Sequence, residues 1–226
     1  VPYSSYIWVA LAAYLLGSIP FGFLVAKAKG VDLRTMGSGN IGATNAMRVL
    51  GKPAGIFVLL MDALKGYAAC ALFTPMIFNS LAPHYSGLVV FFQNQPLEFQ
   101  LKFQVLAGIG AVLGHNYTCW LKFKGGKGIA TTAGVYLALA PVAVLIAIAT
   151  WIILTLLTRY VSIGSIAAAL VLPPAVWFTR DHLLLRLVTI ALCALAILKH
   201  KKNIQRLLAG TENRIGGKTQ TAEATK

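Results

Sequence analysis

Acid is scarce in this chain. Six Asp and Glu stand against twenty Lys and Arg in 226 positions, and charged residues of both signs reach only 12%. A water-soluble domain usually carries about 25% charge, so the deficit excludes an ordinary globular enzyme surface. Histidine is short as well. The four His residues, at 84, 115, 182 and 200, are dispersed like the acids, so no metal site and no cofactor are expected. Cys70, Cys119 and Cys193 lie in or beside apolar runs without metal spacing and read as packing groups. No serine has a sequence-visible His and Asp partner set.

What the chain has in abundance is apolar sequence. Hydrophobic residues make up 58%, and they come in blocks; residues 129–157 contain no charge at all. A run of about 20 apolar residues crosses the hydrocarbon core of a bilayer, and one globular core cannot absorb so many such runs. The expected fold is an all-α integral membrane protein with seven transmembrane helices. They fall at about 4–26, 53–78, 101–120, 128–140, 141–158, 163–178 and 183–199, cut at charges, Gly and Pro. Pro141 divides the longest block and suits the first turn of the helix it opens. The first apolar stretch is too long for a signal-peptide core and reads as a retained helix. Residues 79–100 read as a loop with an interfacial helix around 88–92. In this reading residues 1–215 form one membrane-embedded domain, and 216–226, which lack an apolar pattern, form a disordered tail.

The formal net charge of +14 admits nucleic acid, anionic lipid or an anionic substrate as partner. The hydropathy argues against nucleic acid. Sixteen of the twenty Lys and Arg fall in four segments at one end of the expected spans: 26–52, 118–128, 158–162 and 199–226. The positive-inside rule places these segments in the cytoplasm, with the N-terminus outside and the C-terminus inside.

Three of those segments carry more than charge. Residues 36–48 alternate glycine with short polar side chains. Gly37, Gly39 and Gly42 let the backbone approach a ligand, Ser38, Asn40, Thr44 and Asn45 can donate to phosphate oxygens, and Arg48 can fork onto them. Residues 123–128, Phe-Lys-Gly-Gly-Lys-Gly, precede a span that begins with Ile129, Ala130 and Thr131. Lys124, Gly125, Gly126, Lys127 and Gly128 at a helix start suit a phosphate nest, although a plain basic anchor has the same composition. This stretch does not match the G-x-x-x-x-G-K-[ST] loop, so ATP is not inferred. His115, just upstream, reads by itself as a helix-end histidine. In the third segment His200 and Asn203 share a face if the last helix continues, and Arg206 extends it. The alternative there is a polybasic lipid anchor. Asp62 and Lys65, three apart inside the second span, read as a structural ion pair bordering the site rather than as catalysts.

Residues 37–45 through Arg48, 123–128 through Thr131, and 200–203 with Arg206 and Glu212 together resemble the three signature motifs of the bacterial acyl-phosphate:glycerol-3-phosphate acyltransferases. The likeness runs from residue 14 to residue 214. It implies a multi-pass enzyme of the bacterial cytoplasmic (inner) membrane, with its active site facing the cytoplasm. Such an enzyme moves a fatty acyl group from acyl phosphate to the 1-hydroxyl of glycerol 3-phosphate, giving lysophosphatidic acid for phospholipid synthesis. Its partners are those two substrates and the bilayer. By the same resemblance Ser38 and Arg48 fall on catalytic or phosphate-binding positions, Gly125, Gly126, Lys127 and Gly128 on the glycerol-phosphate loop, and His200 and Asn203 on active-site positions. Taken with the residue chemistry above, Ser38, Arg48, Lys127, His200 and Asn203 are expected to be catalytic. Gly39, Asn40, Thr44, Asn45, Lys124, Gly125, Gly126, Gly128, Thr131 and Arg206 are expected to bind substrate, and Glu212 to hold the structure together. The His-x-x-x-x-Asp pattern of acyltransferases that use acyl-CoA follows none of the four histidines.

The chemistry suits these residues. Both substrates are phosphates, and an acyl chain explains a site at the bilayer edge. The donor is a mixed anhydride with a good leaving group, so orientation and charge stabilisation by Arg48, Lys127 and the 125–128 backbone are the main needs. The expectation for the proton is that His200 positions substrate while a substrate phosphate oxygen accepts it. The competing readings are a membrane transporter of a small organic phosphate and a lipid-binding scaffold. A transporter would favour a midplane site in repeated halves, and no repeat is evident.

Overall fold

The computed structural model describes residues 4–76 and 96–216. The interfacial helix expected at 88–92 and the tail beyond 216 lie outside those residues. Among the described residues the regular structure is helical throughout, with no strand.

The first apolar stretch forms two helices, α1 (Ser4–Ser18) and α2 (Phe21–Ala28), rather than the single rod expected at 4–26. Pro20 accounts for the break. It has no N–H to donate, and its ring collides with the carbonyl four residues back. Helix α2 restarts on the Pro20 carbonyl, which accepts the Leu24 N–H at 3.0 Å. A short helix, α3 (Ala43–Leu50), precedes α4 (Lys52–Ala68), which runs on through a π turn at Ala69–Phe73. Then come α5 (Leu97–Asn116), a 3₁₀ turn at Cys119–Leu121, α6 (Ile129–Leu139), α7 (Pro141–Thr158), α8 (Val161–Thr179), α9 (Leu183–Lys199) and α10 (Lys201–Leu208).

By length and composition five helical stretches among the described residues can cross a membrane. The count is six if α9 and α10, bent by 53° at His200, make one span. The remaining expected span, the fourth at 128–140, corresponds to α6. Its 11 residues cover only about 16 Å at 1.5 Å per residue, against a hydrocarbon core of about 30 Å.

Apolar helices in lipid gain little by hiding from it, so they associate through close backbone packing at small residues. Two such seams organise the bundle. Along α1 and α5, a Cβ on Gly17 would overlap the backbone of Ala111, and one on Gly114 would overlap the Tyr14 carbonyl. Along α4 and α6, Gly66 lies against the Thr131 carbonyl and Gly134 against the Ala63 carbonyl. Helix α7 packs on α8, where Gly164 abuts Trp151 and Thr155, and α9 closes against α8 and α5. Tyr136 of α6 is fully buried, and its hydroxyl donates to Thr189 Oγ1 of α9 at 2.7 Å. Leu, Ile and Phe side chains such as Ile153, Leu156 and Phe178 cover the outer face. This arrangement gathers the α2–α3 loop, the α5–α6 loop, the α7–α8 turn and α10 at one end of the bundle.

Candidate active site

The loop after α2 is built around Asn45. Its Oδ1 accepts the Ser38 N–H at 2.9 Å, and its Nδ2 donates to the carbonyls of Leu33 (3.2 Å), Met36 (3.0 Å) and Asn40 (2.8 Å). Asn40 Oδ1 in turn accepts the Gly42 N–H at 2.8 Å. Gly37 and Gly39 have φ of +59° and +70°, a region that side chains disfavour, so glycine permits the fold-back that Asn45 locks. Buried Asn45 therefore commits its amide to the loop itself. Ser38 stands exposed, and Arg48, one turn further along α3, has a guanidinium nitrogen 3.5 Å from Asn45 Oδ1.

The α5–α6 loop is held from behind. The Gly125 N–H donates to the Asn116 carbonyl at 3.2 Å, and the Gly126 N–H donates to the His115 carbonyl at 3.0 Å. These two amides, expected to face an anion, instead satisfy carbonyls at the end of α5, which have no partner within the helix; the Asn116 carbonyl also accepts the Lys199 ammonium at 3.1 Å. What this loop offers a ligand is the residue after them. The Lys127 ammonium reaches across to Asn203 Oδ1 at 2.5 Å.

Asn203, on α10, joins that lysine to an acid. Its Nδ2 donates to Glu212 Oε1 at 2.7 Å, and the other carboxylate oxygen accepts Arg206 Nε at 2.6 Å. Burial pushes the Lys127 ammonium down to about 8; nearby Arg206 and Arg48 act in the same direction, and Glu212 opposes them. His200 sits at the α9–α10 bend with Nδ1 2.8 Å from the Ala196 carbonyl. A carbonyl only accepts, so Nδ1 carries the proton and Nε2 keeps a lone pair. Burial, reinforced by Lys127, pushes the imidazole down to about 4, so it is neutral around pH 7.

All five residues expected to be catalytic, Ser38, Arg48, Lys127, His200 and Asn203, line one cavity of about 480 Å³. Asn40, Thr44, Asn45, Gly128, Arg206 and Glu212 line it with them. Gly39, Lys124, Gly125, Gly126 and Thr131 do not. Away from this polar end the same cavity runs between Leu59 and Leu60 of α4, Val144, Ala147 and Ile148 of α7, and Ala169 and Leu172 of α8. Asp62 lines it while Lys65 stands behind, its Nζ 2.8 Å from Asp62 Oδ1.

Several lining residues escaped the sequence reading. Ser162 and Ser165, three apart at the start of α8, face the cavity, and Ser165 Oγ accepts the Trp151 Nε1 hydrogen at 3.1 Å. Hydroxyls repeating at helical spacing in an otherwise apolar span were the available signal. His115 also faces the cavity, 3.5 Å from Asp62 Oδ1. Among the described residues no cluster of three or more His, Cys, Asp and Glu could hold a metal.

Known proteins share this chain's sequence and shape. Residues 7–210 match the glycerol-3-phosphate acyltransferase family. The glycerol-3-phosphate acyltransferase of Geobacter metallireducens is 49% identical over 89% of this chain and 93% of its own length. That of Trichlorobacter lovleyi is 44% identical over 92% and 95%. Two crystal structures of PlsY, an integral membrane glycerol 3-phosphate acyltransferase, are similar throughout. The glycerol 3-phosphate form superposes with a TM-score of 0.77 at 38% identity, over 94% of this chain and 96% of that one. The lysophosphatidic acid form superposes with a TM-score of 0.74 at 36% identity.

Proposed function

The chain belongs to the glycerol-3-phosphate acyltransferase family, and from that premise we propose that it acylates the 1-hydroxyl of glycerol 3-phosphate with acyl phosphate as donor. It is an integral membrane protein. The hydroxyl oxygen attacks the acyl carbonyl carbon, the bond from that carbon to the phosphate oxygen breaks, and inorganic phosphate leaves with 1-acylglycerol 3-phosphate as product. The observation that carries this reading is the two-part cavity. A cationic end around Arg48 and Lys127 is continuous with an apolar slot between α4, α7 and α8. A phosphate headgroup with a long chain attached fits that division.

Roles follow from the geometry. Arg48 and Lys127 supply charge for two phosphates and for the oxyanion of the tetrahedral intermediate. Asn203, fixed by Glu212, holds Lys127 in place. Ser38, Asn40 and Thr44 offer short polar groups at the same end. His200, neutral and with Nδ1 committed, is too weak a base near pH 7 to remove a hydroxyl proton by itself. Its Nε2 accepts a hydrogen bond from the non-reacting 2-hydroxyl and so orients the substrate, while the 1-hydroxyl proton passes to an oxygen of the departing phosphate. Holding hydroxyl and anhydride together in this way removes several kcal/mol of the barrier.

In the membrane the proposal is seven spans, with short α6 as the fourth and α9 as the seventh, and α10 lies beyond it at the cytoplasmic face. The cavity's polar end faces the cytoplasm of the bacterial inner membrane, on the side where sixteen of twenty Lys and Arg gather.

Detergent-purified protein given acyl phosphate and labelled glycerol 3-phosphate tests the activity. Lysophosphatidic acid and inorganic phosphate are expected in equal amounts. Acyl-CoA in place of acyl phosphate should give none, and product from acyl-CoA alone would overturn the donor assignment. Because no compartment is present, product formation also rejects a transport-only protein.

A further inference from the structure

Gly125 and Gly126 are adjacent, yet different atoms exclude a side chain at each. A Cβ on Gly125 would overlap the backbone carbonyl oxygen of His115, whereas one on Gly126 would overlap the His115 ring at Nε2. That ring is buried and is held on its other edge by Asp62, whose Oδ1 lies 3.5 Å from His115 Nδ1. Asp62 is itself fixed by Lys65 at 2.8 Å, and Lys65 donates to the Ile19 carbonyl at the α1–α2 break, also at 2.8 Å. The line of contact thus runs from the α1–α2 break through Lys65, Asp62 and His115 to the face of Gly126. The next residue is Lys127, whose ammonium enters the cavity and meets Asn203.

We infer that His115, oriented by Asp62, is a positioning residue. Its ring is the stop against which the glycine loop rests, and it sets where the Lys127 ammonium stands. Gly126 is then demanded by the ring beneath it rather than by a phosphate above it. This is consistent with its amide being committed to α5 and with its absence from the cavity wall. The inference rests on the reading that Lys127 binds substrate phosphate.

The test is a double-mutant cycle read by KM and kcat for glycerol 3-phosphate, with equilibrium binding of labelled glycerol 3-phosphate alongside. Gly126→Ala lifts the loop off its seat and should raise KM by about tenfold or more, while His115→Ala removes the stop and should also raise KM. The double variant should be no worse than His115→Ala within about twofold, because the vacated space takes the new methyl and the two effects share one contact. Gly125→Ala should stay equally defective in either background, since its obstacle is a main-chain oxygen. If the KM losses of the 115 and 126 substitutions multiply, or if His115→Ala relieves Gly125→Ala, the inference is overturned. A merely structural histidine would lower the active fraction, and so kcat, at unchanged KM; that result also overturns it. If His115→Ala does not purify as a stable protein, His115→Gln takes its place, because a flexible side chain can swing away from a methyl at 126. Should the parent protein make no product, the proposed reaction fails, yet the binding arm still reads the same cycle.

Discussion

Lys127 gives the sharpest expectation for catalysis. Its ammonium titrates near 8 because it is buried among Arg206 and Arg48, and only the charged form grips a phosphate. With a free-enzyme value near 8, about 90% of the lysine is charged at pH 7, half at pH 8 and about 10% at pH 9. The second ionisation of a phosphate monoester, at about pH 6, is about 90% complete at pH 7, so the substrate adds a rise of only about a tenth in this range. The sign is therefore a loss on the alkaline side, with kcat/KM for glycerol 3-phosphate falling about tenfold from pH 7 to pH 9. An ordinary lysine, near ~10.4, would fall by only a few per cent. The limb in kcat should lie at higher pH, because bound phosphate raises the lysine's value. Initial rates of labelled lysophosphatidic acid formation, corrected for spontaneous hydrolysis of the donor, provide the measurement. Lys127→Arg, whose charge persists at every pH used, should show lower activity that no longer declines between pH 7 and 9. A flat profile in the parent, or the same decline in Lys127→Arg, would refute the reasoning.

His200→Gln should lose turnover by about ten- to a hundredfold while keeping the alkaline limb, since an imidazole near 4 does not titrate between pH 6 and 9. Disappearance of an ionisation from that interval in the variant would make His200 the base after all. Glu212→Gln removes two charge-assisted contacts of 2.6 and 2.7 Å from a largely buried carboxylate, and should destabilise the protein by about 2 to 4 kcal/mol. Glu212 also raises the Lys127 value, so in this variant the alkaline limb should move to lower pH. A melting curve in detergent and a pH profile check the two parts separately.

The parts of the bundle bounded by strong local chemistry were legible in the sequence. Pro141 and Arg159 bracket α7, and the approach to His200 closes α9, so both helices fall where the apolar runs place them. Pro20 was equally visible, but the apolar pattern continues across it and conceals the break between α1 and α2. Helix α3 is built from residues such as Thr44 and Asn45 that have weak helix propensity. It is stabilised by the bracket Asn45 makes to a loop folded back from five to twelve residues earlier. At the site, residue types pointed to the polar ends of three segments. They could not say which atoms those segments would use on each other. Gly125 and Gly126 read as an anion nest because their obstacle, the end of α5, is supplied by packing and has no signature in the loop itself. Ser162 and Ser165 passed without notice because only the packing of α7 against α8 turns that face of the helix toward the cavity.

The glycine seams have a mechanical consequence. They clasp α1 to α5 and α4 to α6, main chain against main chain, with no side-chain layer between to compress. Helix α7, which supplies one wall of the apolar slot, is clasped on one side only, by Gly164 of α8 against its Trp151 carbonyl. It leans on α8 and on its short link to α6 and turns the rest of its surface outward. If the slot is to widen for a bulkier chain, α7 is the wall with lipid rather than a clasped helix behind it.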